Sequence, residues 1–239
     1  MAPVQKRFSE KIKEVTPVRL IAISFAVIIA FGTFFLLLPI SSKSGSVSFI
    51  NALFTSTSAT CVTGLTPFDT FSQWTVFGQV IILILIQLGG LGLLTFTTGF
   101  TLLLRGRLGL RDIQLVKEQT SSQAIHIRQL LKMIFTSTFL CEMVGAILLC
   151  IRFVPAYGPK GIWISVFLAV SSYCNAGFDI LGFQGPSTSL INFQQDPLVL
   201  GTISLLIILG GLGYVVVNEI YTLATQRIHG EKKGFHNFS

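Results

Sequence analysis

The chain has 239 residues, of which 51% are hydrophobic and 11% are charged, and its net charge is +7. This composition excludes an ordinary soluble domain and indicates an all-α polytopic membrane protein. The positive charge does not indicate a nucleic-acid partner, because it forms no compact basic domain. We expect neither an enzyme nor a bound cofactor, since the three histidines (His126, His229 and His236) fall in predicted cytoplasmic segments away from any nucleophile or carboxylate pair.

Lysine and arginine are distributed unevenly between the two sides of the predicted membrane. Of the 17 basic residues, five precede or begin the first apolar helix, six lie in or beside the central polar segment and three are in the tail. Only Lys43, Arg152 and Lys160 fall on the other side. Cytoplasmic segments carry such an excess of positive charge. We therefore expect a plasma-membrane protein whose two termini and central connector are cytoplasmic.

The chain divides into five predicted segments, two of which have the same internal order. These are a cytoplasmic lead (residues 1–17), a first unit (18–104), a cytoplasmic connector (105–127), a second unit (128–221) and a cytoplasmic tail (222–239). In each unit a long apolar stretch is followed by a short one, a polar turn and a second long stretch. About 20 residues are needed to cross a bilayer as a helix, so only the long stretches are predicted to span it.

The two units predict two tandem sets of helix, pore helix, filter-like turn and helix. In the first unit these cover residues 18–40 (ended by Pro39), 49–57, 58–65 and 75–104; in the second they cover 128–154, 162–170, 171–178 and 198–221. Because each unit begins and ends inside, the topology is parallel, with four transmembrane helices and two re-entrant pore loops. Backbone at membrane depth must be buried in protein or line a water path. Considered alone, the first turn also fits an ordinary extracellular loop.

An internal duplication supports the pore-loop interpretation. Each turn leads into an apolar helix that carries Gly-Gly-Leu-Gly, at residues 89–92 and 210–213. The spacing to this motif is larger in the second unit, which has a longer outer loop. The turns themselves align at one constant spacing, which pairs Ser58 with Ser171, Cys61 with Cys174 and Gly64 with Gly177.

The paired turns have the chemistry of a cation filter. Rings of backbone carbonyls can replace the hydration shell of a cation, and glycine permits the unusual backbone angles that aim them. The C-terminal end of the preceding short helix carries partial negative charge, which also favours a cation. Asp69 and Asp179 follow the turns. They either raise the cation concentration at the pore mouth or are ordinary loop acids.

Glu142 and the glycines of the helix at 75–104 each have two interpretations, and the two tryptophans have a predicted place at the membrane surface. Glu142 lies near mid-bilayer depth, where an acid either belongs to the ion pathway or is hydrogen-bonded to a neighbouring helix. The glycines of the helix at 75–104 indicate either close helix packing or a break near the pore. Trp74 and Trp163 are predicted to lie in the aromatic belt at the membrane surface.

The motifs resemble the pore subunits of the Trk/Ktr/HKT potassium transporter superfamily, and the bacterial Ktr membrane subunit in particular. They are SATCVTGLT at residues 58–66, QLGGLG at 87–92 and NAGF at 175–178. The resemblance implies potassium uptake through a pore with one essential filter glycine per unit, here Gly64 and Gly177. It also implies that neighbouring carbonyls line the ion path, namely those of Cys61, Val62, Thr63 and Leu65 and those of Cys174, Asn175, Ala176 and Phe178.

The chain departs from this family in having two units where members carry four. The resemblance implies a dimeric membrane subunit in the lipid bilayer, a cytosolic nucleotide-binding regulatory ring, and sodium as the coupling ion in some members. Because two turns cannot close a four-sided ring, either a second copy of the chain or a separate chain would supply the rest. The alternative is a truncated, non-conducting membrane protein that associates with or regulates a full-length cation transporter.

Overall fold

The computed structural model describes residues 17–92 and 123–228, and side chains within 22–92 and 132–212. These ranges contain α-helices and short 3-10 turns but no strand, and one isolated bridge joins Ser42 and Trp74. The helices are α1 (Pro17–Leu37), α2 (Phe49–Thr60), α3 (Thr70–Gln73), α4 (Val76–Gly90), α5 (Gln123–Tyr157), α6 (Lys160–Tyr173) and α7 (Pro197–Ile228). The loop before α7 contains two 3-10 turns, Gly182–Gln184 and Ile191–Phe193.

A helix is present where the first membrane helix is predicted, but it ends earlier than expected. We predicted that it continues to residue 40, whereas α1 ends at Leu37 and a 3-10 turn covers Pro39–Ser41. Leu38 has φ −63° and ψ 137°, which is extended backbone. A residue that precedes proline is disfavoured in the helical region, so the helix stops before Pro39 rather than at it.

Both short helices are longer than predicted. Their expected last residues were 57 and 170, but α2 continues to Thr60 and α6 to Tyr173. A serine or threonine can remain in a helix when its hydroxyl donates a hydrogen bond to the carbonyl four residues earlier. Thr57 Oγ1 donates to Leu53 O at 2.7 Å, and Thr60 Oγ1 donates to Ser56 O at 2.8 Å. The polar turns are therefore shorter than expected, and we call residues 61–65 the first turn and residues 174–178 the second turn.

The predicted continuous helix at residues 75–104 is wrong at the Gly-Gly-Leu-Gly motif. Helix α4 ends at Gly90, where the N–H of Leu91 bonds to Gln87 O at 3.1 Å. Gly92 has φ +76°, in the left-handed region that terminates helices and favours glycine. The rest of the predicted helix, residues 93–104, lies outside the described residues, as does the connector up to residue 122.

The helices of the second unit extend beyond their predicted bounds. Helix α5 begins at Gln123, within the predicted connector, and runs past Pro155 to Tyr157. Helix α7 ends at Ile228, within the predicted tail. Among the described residues one helix, Lys132–Tyr157, is long and apolar enough to span a membrane, and shorter apolar helices cover Ala22–Leu37, Val76–Gly90, Lys160–Tyr173 and Pro197–Leu212.

Each unit packs its long helices through the same contact. A Cβ added at Gly32 of α1 would lie 2.6 Å from a methyl group of Leu85 in α4. The corresponding Cβ at Gly145 of α5 would lie 2.6 Å from a methyl group of Leu206 in α7. Small residues let membrane helices approach closely. Gly32 and Gly145 are separated by the same spacing as the two turns, and Leu85 and Leu206 by the longer spacing of the Gly-Gly-Leu-Gly motifs. The duplication therefore extends to the packing of the helices.

Both tryptophans pack against protein, and their place in an aromatic belt at the membrane surface stays a prediction. Trp74 is 2% exposed; its backbone forms a bridge with Ser42 and its indole packs on Gly78. Trp163 is half-buried, and its Nε1 donates to Gln79 Oε1 at 2.8 Å. The same Gln79 donates through Nε2 to Trp74 O at 3.1 Å, so one buried amide joins both indole-bearing segments.

Candidate functional site

The two turns have the same backbone hydrogen bonds. In the first turn, the N–H of Cys61 bonds to Thr57 O at 2.8 Å and the N–H of Thr63 bonds to Ser58 O at 3.0 Å. In the second turn, the corresponding donors are Cys174 at 2.9 Å from Val170 O and Ala176 at 2.8 Å from Ser171 O. Every donor and acceptor is separated from its counterpart by the same spacing that relates the turns in the sequence. The carbonyls at the ends of α2 and α6 therefore cap the turns in the same way.

Both turns contain left-handed residues at alternate positions. Val62 has φ +57° and Gly64 has φ +74°, and their counterparts Asn175 and Gly177 have φ +57° and φ +72°. For a β-branched residue such as Val62 this region is a genuine outlier, and holding a residue there costs about 1–3 kcal/mol. Strain of this kind is typical of functional sites, where the surrounding structure enforces it.

The turns face each other at their glycines. A Cβ built on Gly177 would lie 3.4 Å from Gly64 Cα, which is an ordinary contact. A Cβ built on Gly64 would lie 2.7 Å from Ala176 O, which is too close for any side chain. The structure thus brings together the two stretches that the sequence singled out, although they lie far apart along the chain.

The predicted carbonyl-bearing residues differ in exposure between the two turns. In the first turn Cys61, Thr63 and Leu65 are exposed and Val62 and Gly64 are half-buried. In the second turn the exposed residues are Asn175 and Gly177, whereas Cys174, Ala176 and Phe178 are buried. The second turn is consequently enclosed by protein on more sides than the first among the described residues.

The carbonyl of Phe178 already has a partner within the protein. It accepts a hydrogen bond from Ser171 Oγ at 2.5 Å. The equivalent serine of the first unit, Ser58, instead bonds to Thr63 Oγ1 at 2.8 Å. The two turns therefore differ at this point, because the carbonyl oxygen of Phe178 accepts a hydrogen bond from a hydroxyl of α6.

The two aspartates that follow the turns have different environments. Asp69 caps α3: its Oδ2 accepts from the N–H and the hydroxyl of Ser72, both at 2.7 Å. Its Oδ1 accepts from the N–H of Ser187 at 3.4 Å, so it also links a loop of the first unit to a loop of the second. Asp179 accepts from the N–H of Leu181 at 3.0 Å and borders a cavity of about 220 Å³ together with Asn175 of the second turn.

Glu142 is buried next to Cys174 of the second turn. Its side chain is 5% exposed, and its Oε1 accepts a hydrogen bond from Gln87 Nε2 at 2.9 Å. The Sγ atom of Cys174 lies 3.9 Å from the same oxygen. The acid thus joins α5, α4 and the second turn. Sequence reasoning named Gln87 only as an interruption of its helix, although an amide within an apolar run was the signal for a buried polar partner.

The sequence is similar to those of known transport proteins. The family model TrkH, described as a cation transport protein, matches residues 7–238. The potassium/sodium uptake protein NtpJ of Enterococcus hirae is 40% identical over 211 residues, which cover 87% of this chain and 46% of that protein. The Ktr system potassium uptake protein B is 40% identical over 207 residues in Bacillus subtilis (86% and 45%) and 36% identical over 220 residues in Vibrio alginolyticus (91% and 46%). The chain therefore spans about half the length of the curated relatives it matches.

Proposed function

The chain belongs to the TrkH family of cation transport proteins, and from that premise we propose that it forms the pore subunit, or the N-terminal half, of a Ktr-type potassium uptake system. The relatives with 36–40% identity are named as potassium or potassium/sodium uptake proteins. The observation that carries the proposal is the pair of facing turns with left-handed residues at the same alternate positions.

Backbone carbonyls supply the chemistry of the proposed site. In an extended strand successive carbonyls point to opposite sides, and a left-handed residue at every second position rotates them toward a common side. Carbonyl oxygens on one side can replace the hydration shell of a potassium ion. Helices α2 and α6 end at the turns, and the partial negative charge at their C-terminal ends favours the same ion.

The residues of the turns and their neighbours are not expected to contribute equally to ion binding. The exposed residues Cys61, Thr63 and Asn175 offer carbonyls beside the two glycines, whereas the carbonyl of Phe178 is engaged by Ser171. Asp179 is the better candidate for an acid at the pore mouth, because Asp69 is occupied as a helix cap. We assign Glu142 to positioning the second turn through Cys174 rather than to the ion path.

The proposed architecture has two parallel units, each with two membrane helices around a re-entrant loop. Matched helix packing at Gly32 and Gly145 supports this arrangement, and the distribution of basic residues supports cytoplasmic termini. Potassium is the transported ion, and sodium is the candidate coupling ion because one relative is named as a potassium/sodium uptake protein. A cytosolic regulatory ring completes the proposal.

Rubidium uptake by potassium-uptake-deficient cells tests the proposed function. Wild-type protein is expected to restore uptake, and Gly64→Ser is expected to abolish it or its preference over sodium. Gly45→Ser is the matched control, because Gly45 also has a positive φ (+73°) but no described atom lies within 4 Å of an added Cβ. Unchanged selectivity and flux in Gly64→Ser, at equal membrane levels, would refute the assignment of the turns.

A further inference from the structure

A cleft of about 470 Å³ lies between helices α4, α5 and α6, where the two units meet. Its volume is typical of sites for small organic ligands, which occupy about 300–1,000 Å³. All of its lining residues are apolar except Gln87 and Glu142. None of them belongs to the first or the second turn, so the cleft is a different place from the proposed ion site.

The rim of the cleft consists of exposed apolar side chains. Ile84 is 50% exposed, Phe139 is 56% exposed and Met143 is 59% exposed. Lipid chains are as apolar as such side chains, so in a bilayer this rim faces the hydrocarbon. A molecule that enters the cleft from the hydrocarbon therefore crosses no polar barrier at the rim.

Glu142 lies at the buried end of the same cleft. Its side chain is 5% exposed, and both of its polar neighbours contact one oxygen: Gln87 Nε2 lies 2.9 Å and Cys174 Sγ 3.9 Å from Oε1. Within the described part of the chain Glu142 forms no salt bridge, and none of the residues that line the cleft is basic. A charge on this carboxyl consequently has no compensating cation among them.

The hydrogen bond from Gln87 does not by itself explain an acid at this position. A glutamine would accept the same hydrogen bond without a charge to bury. The equivalent residue of the first unit is Ile29, so the fold of a unit does not require an acid here. Acids inside membrane helices are costly and usually have a function. The acid thus indicates a ligand of opposite charge.

Charge and polarity together define the class of ligand. A cation paired with the buried carboxylate would compensate its charge, which an uncharged lipid chain cannot do. The apolar walls and rim require that the rest of the ligand be hydrocarbon. A bare inorganic cation would lose its hydration shell without replacement in such a cleft, and an anionic lipid would be repelled by the acid.

We propose that this cleft binds a lipophilic amine, whose ammonium group pairs with Glu142 and whose alkyl chain lies along Ile84, Phe139 and Met143. The bound ammonium group would lie next to Cys174 of the second turn. The proposal does not rest on the proposed function, because binding is measured without any transport by the chain.

Carbodiimide labelling in membranes tests the site directly. Dicyclohexylcarbodiimide dissolves in the hydrocarbon and reacts with carboxyl groups that it reaches there, so we expect an adduct on Glu142 that is quantified by mass spectrometry of the peptide. Dodecyldimethylamine is expected to suppress this adduct, and as a tertiary amine it does not itself form an amide with the activated carboxyl. Dodecanol, which has the same chain but no charge, should leave the labelling unchanged.

Two results of this experiment would overturn the proposal. Equal protection by dodecanol and by the amine would show that the cleft takes any alkyl chain and that the acid does not select the ligand. Absence of the adduct in membranes, when the unfolded protein is labelled at Glu142, would show that the acid cannot be reached from the hydrocarbon.

Equilibrium binding of radiolabelled dodecyldimethylamine to the purified chain provides an independent test. Glu142→Gln keeps an acceptor for Gln87 but removes the charge, so the affinity should fall about tenfold or more. Ala146→Leu is expected to fill the cleft and abolish binding. The matched control is Val144→Leu, on the same helix but outside the cleft, which should bind like wild type. Unchanged affinity in Glu142→Gln would overturn the proposal, even if Ala146→Leu does not fold.

Discussion

Gly64 and Ala176 lie so close that a Cβ on the glycine would be 2.7 Å from the alanine carbonyl oxygen, although the residues belong to different units. Gly177, the counterpart of Gly64, has only an ordinary contact at 3.4 Å among the described residues. Two glycines in equivalent turns, with the same positive φ, therefore differ in what surrounds them within one chain.

Replacing these glycines with alanine should have unequal effects. The positive φ alone costs about 1–2 kcal/mol for a residue with a Cβ. Gly177→Ala and the control Gly45→Ala are therefore each expected to lower the free energy of unfolding by about that much. Gly64→Ala should lose about 2–4 kcal/mol, because backbone must also move. Thermal unfolding followed by size-exclusion chromatography measures the difference. Equal losses for Gly64→Ala and Gly45→Ala would contradict the close approach of the turns.

Glu142 is expected to tolerate glutamine but not leucine. Glutamine keeps an oxygen that accepts from Gln87 Nε2, whereas leucine leaves that buried amide unpaired. The expected loss of stability is within about 1 kcal/mol for Glu142→Gln and about 1–3 kcal/mol for Glu142→Leu. Membrane levels and thermal midpoints of the two variants provide the measurement. If leucine is as stable as wild type, the hydrogen bond has no structural role.

Gln79 and Trp163 should behave as a coupled pair. Gln79→Leu leaves the indole N–H and Trp74 O without partners, at about 1–3 kcal/mol for each unpaired group. Trp163→Phe removes the indole donor. The double variant is expected to lose less stability than the sum of the single variants, with a coupling of about 0.5–3 kcal/mol. Additive losses in this double-mutant cycle would show that the bond joining the units adds nothing.

Acid should weaken the protein through Asp196, which directly precedes α7. A hydrogen bond from the N–H of Val199 is the main cause that lowers the pKa of this carboxyl below its ordinary value of 3.8, and partial burial opposes it. Arg152, whose Nε donates to Asp196 Oδ2 at 2.6 Å, lowers the pKa further. A carboxylate with a lowered pKa contributes stability above its unfolded pKa and loses it as the pH falls through the folded pKa.

Asp196→Asn tests this contribution. The variant keeps an acceptor oxygen for the backbone N–H but has no charge to titrate. Thermal midpoints recorded between about pH 6 and about pH 3 should therefore fall less steeply than in wild type. The same steepness in both proteins would show that other groups carry the acid sensitivity.

The duplication and the two turns could be predicted from the sequence because their signals are local. A constant spacing relates Cys61 to Cys174 and Gly64 to Gly177, and the structure has the same hydrogen bonds and φ signs at both places. The ends of α2 and α6 were missed, because hydroxyl residues such as Thr60 usually favour turns and remain helical here by bonding to their own helix.

Contacts between distant segments could not be predicted. Nothing near Gln87 indicates that its partner is Glu142, which is 55 residues away, or that both lie behind Cys174. The bridge that joins Trp74 to Ser42 likewise has no local signal in the sequence. The environments of Gly64 and Gly177 likewise differ because Gly64 lies against Ala176 O, whereas Gly177 has only an ordinary contact among the described residues.

The central claim is that the two turns bind a potassium ion through their carbonyls. Its most direct test is anomalous X-ray diffraction at the rubidium absorption edge from crystals of the chain grown in rubidium chloride. We predict an anomalous peak beside the carbonyls next to Gly64 and Gly177, which is lost in Gly64→Ser and retained in Gly45→Ser. Rubidium density found only away from the turns, or unchanged in Gly64→Ser, would contradict the account.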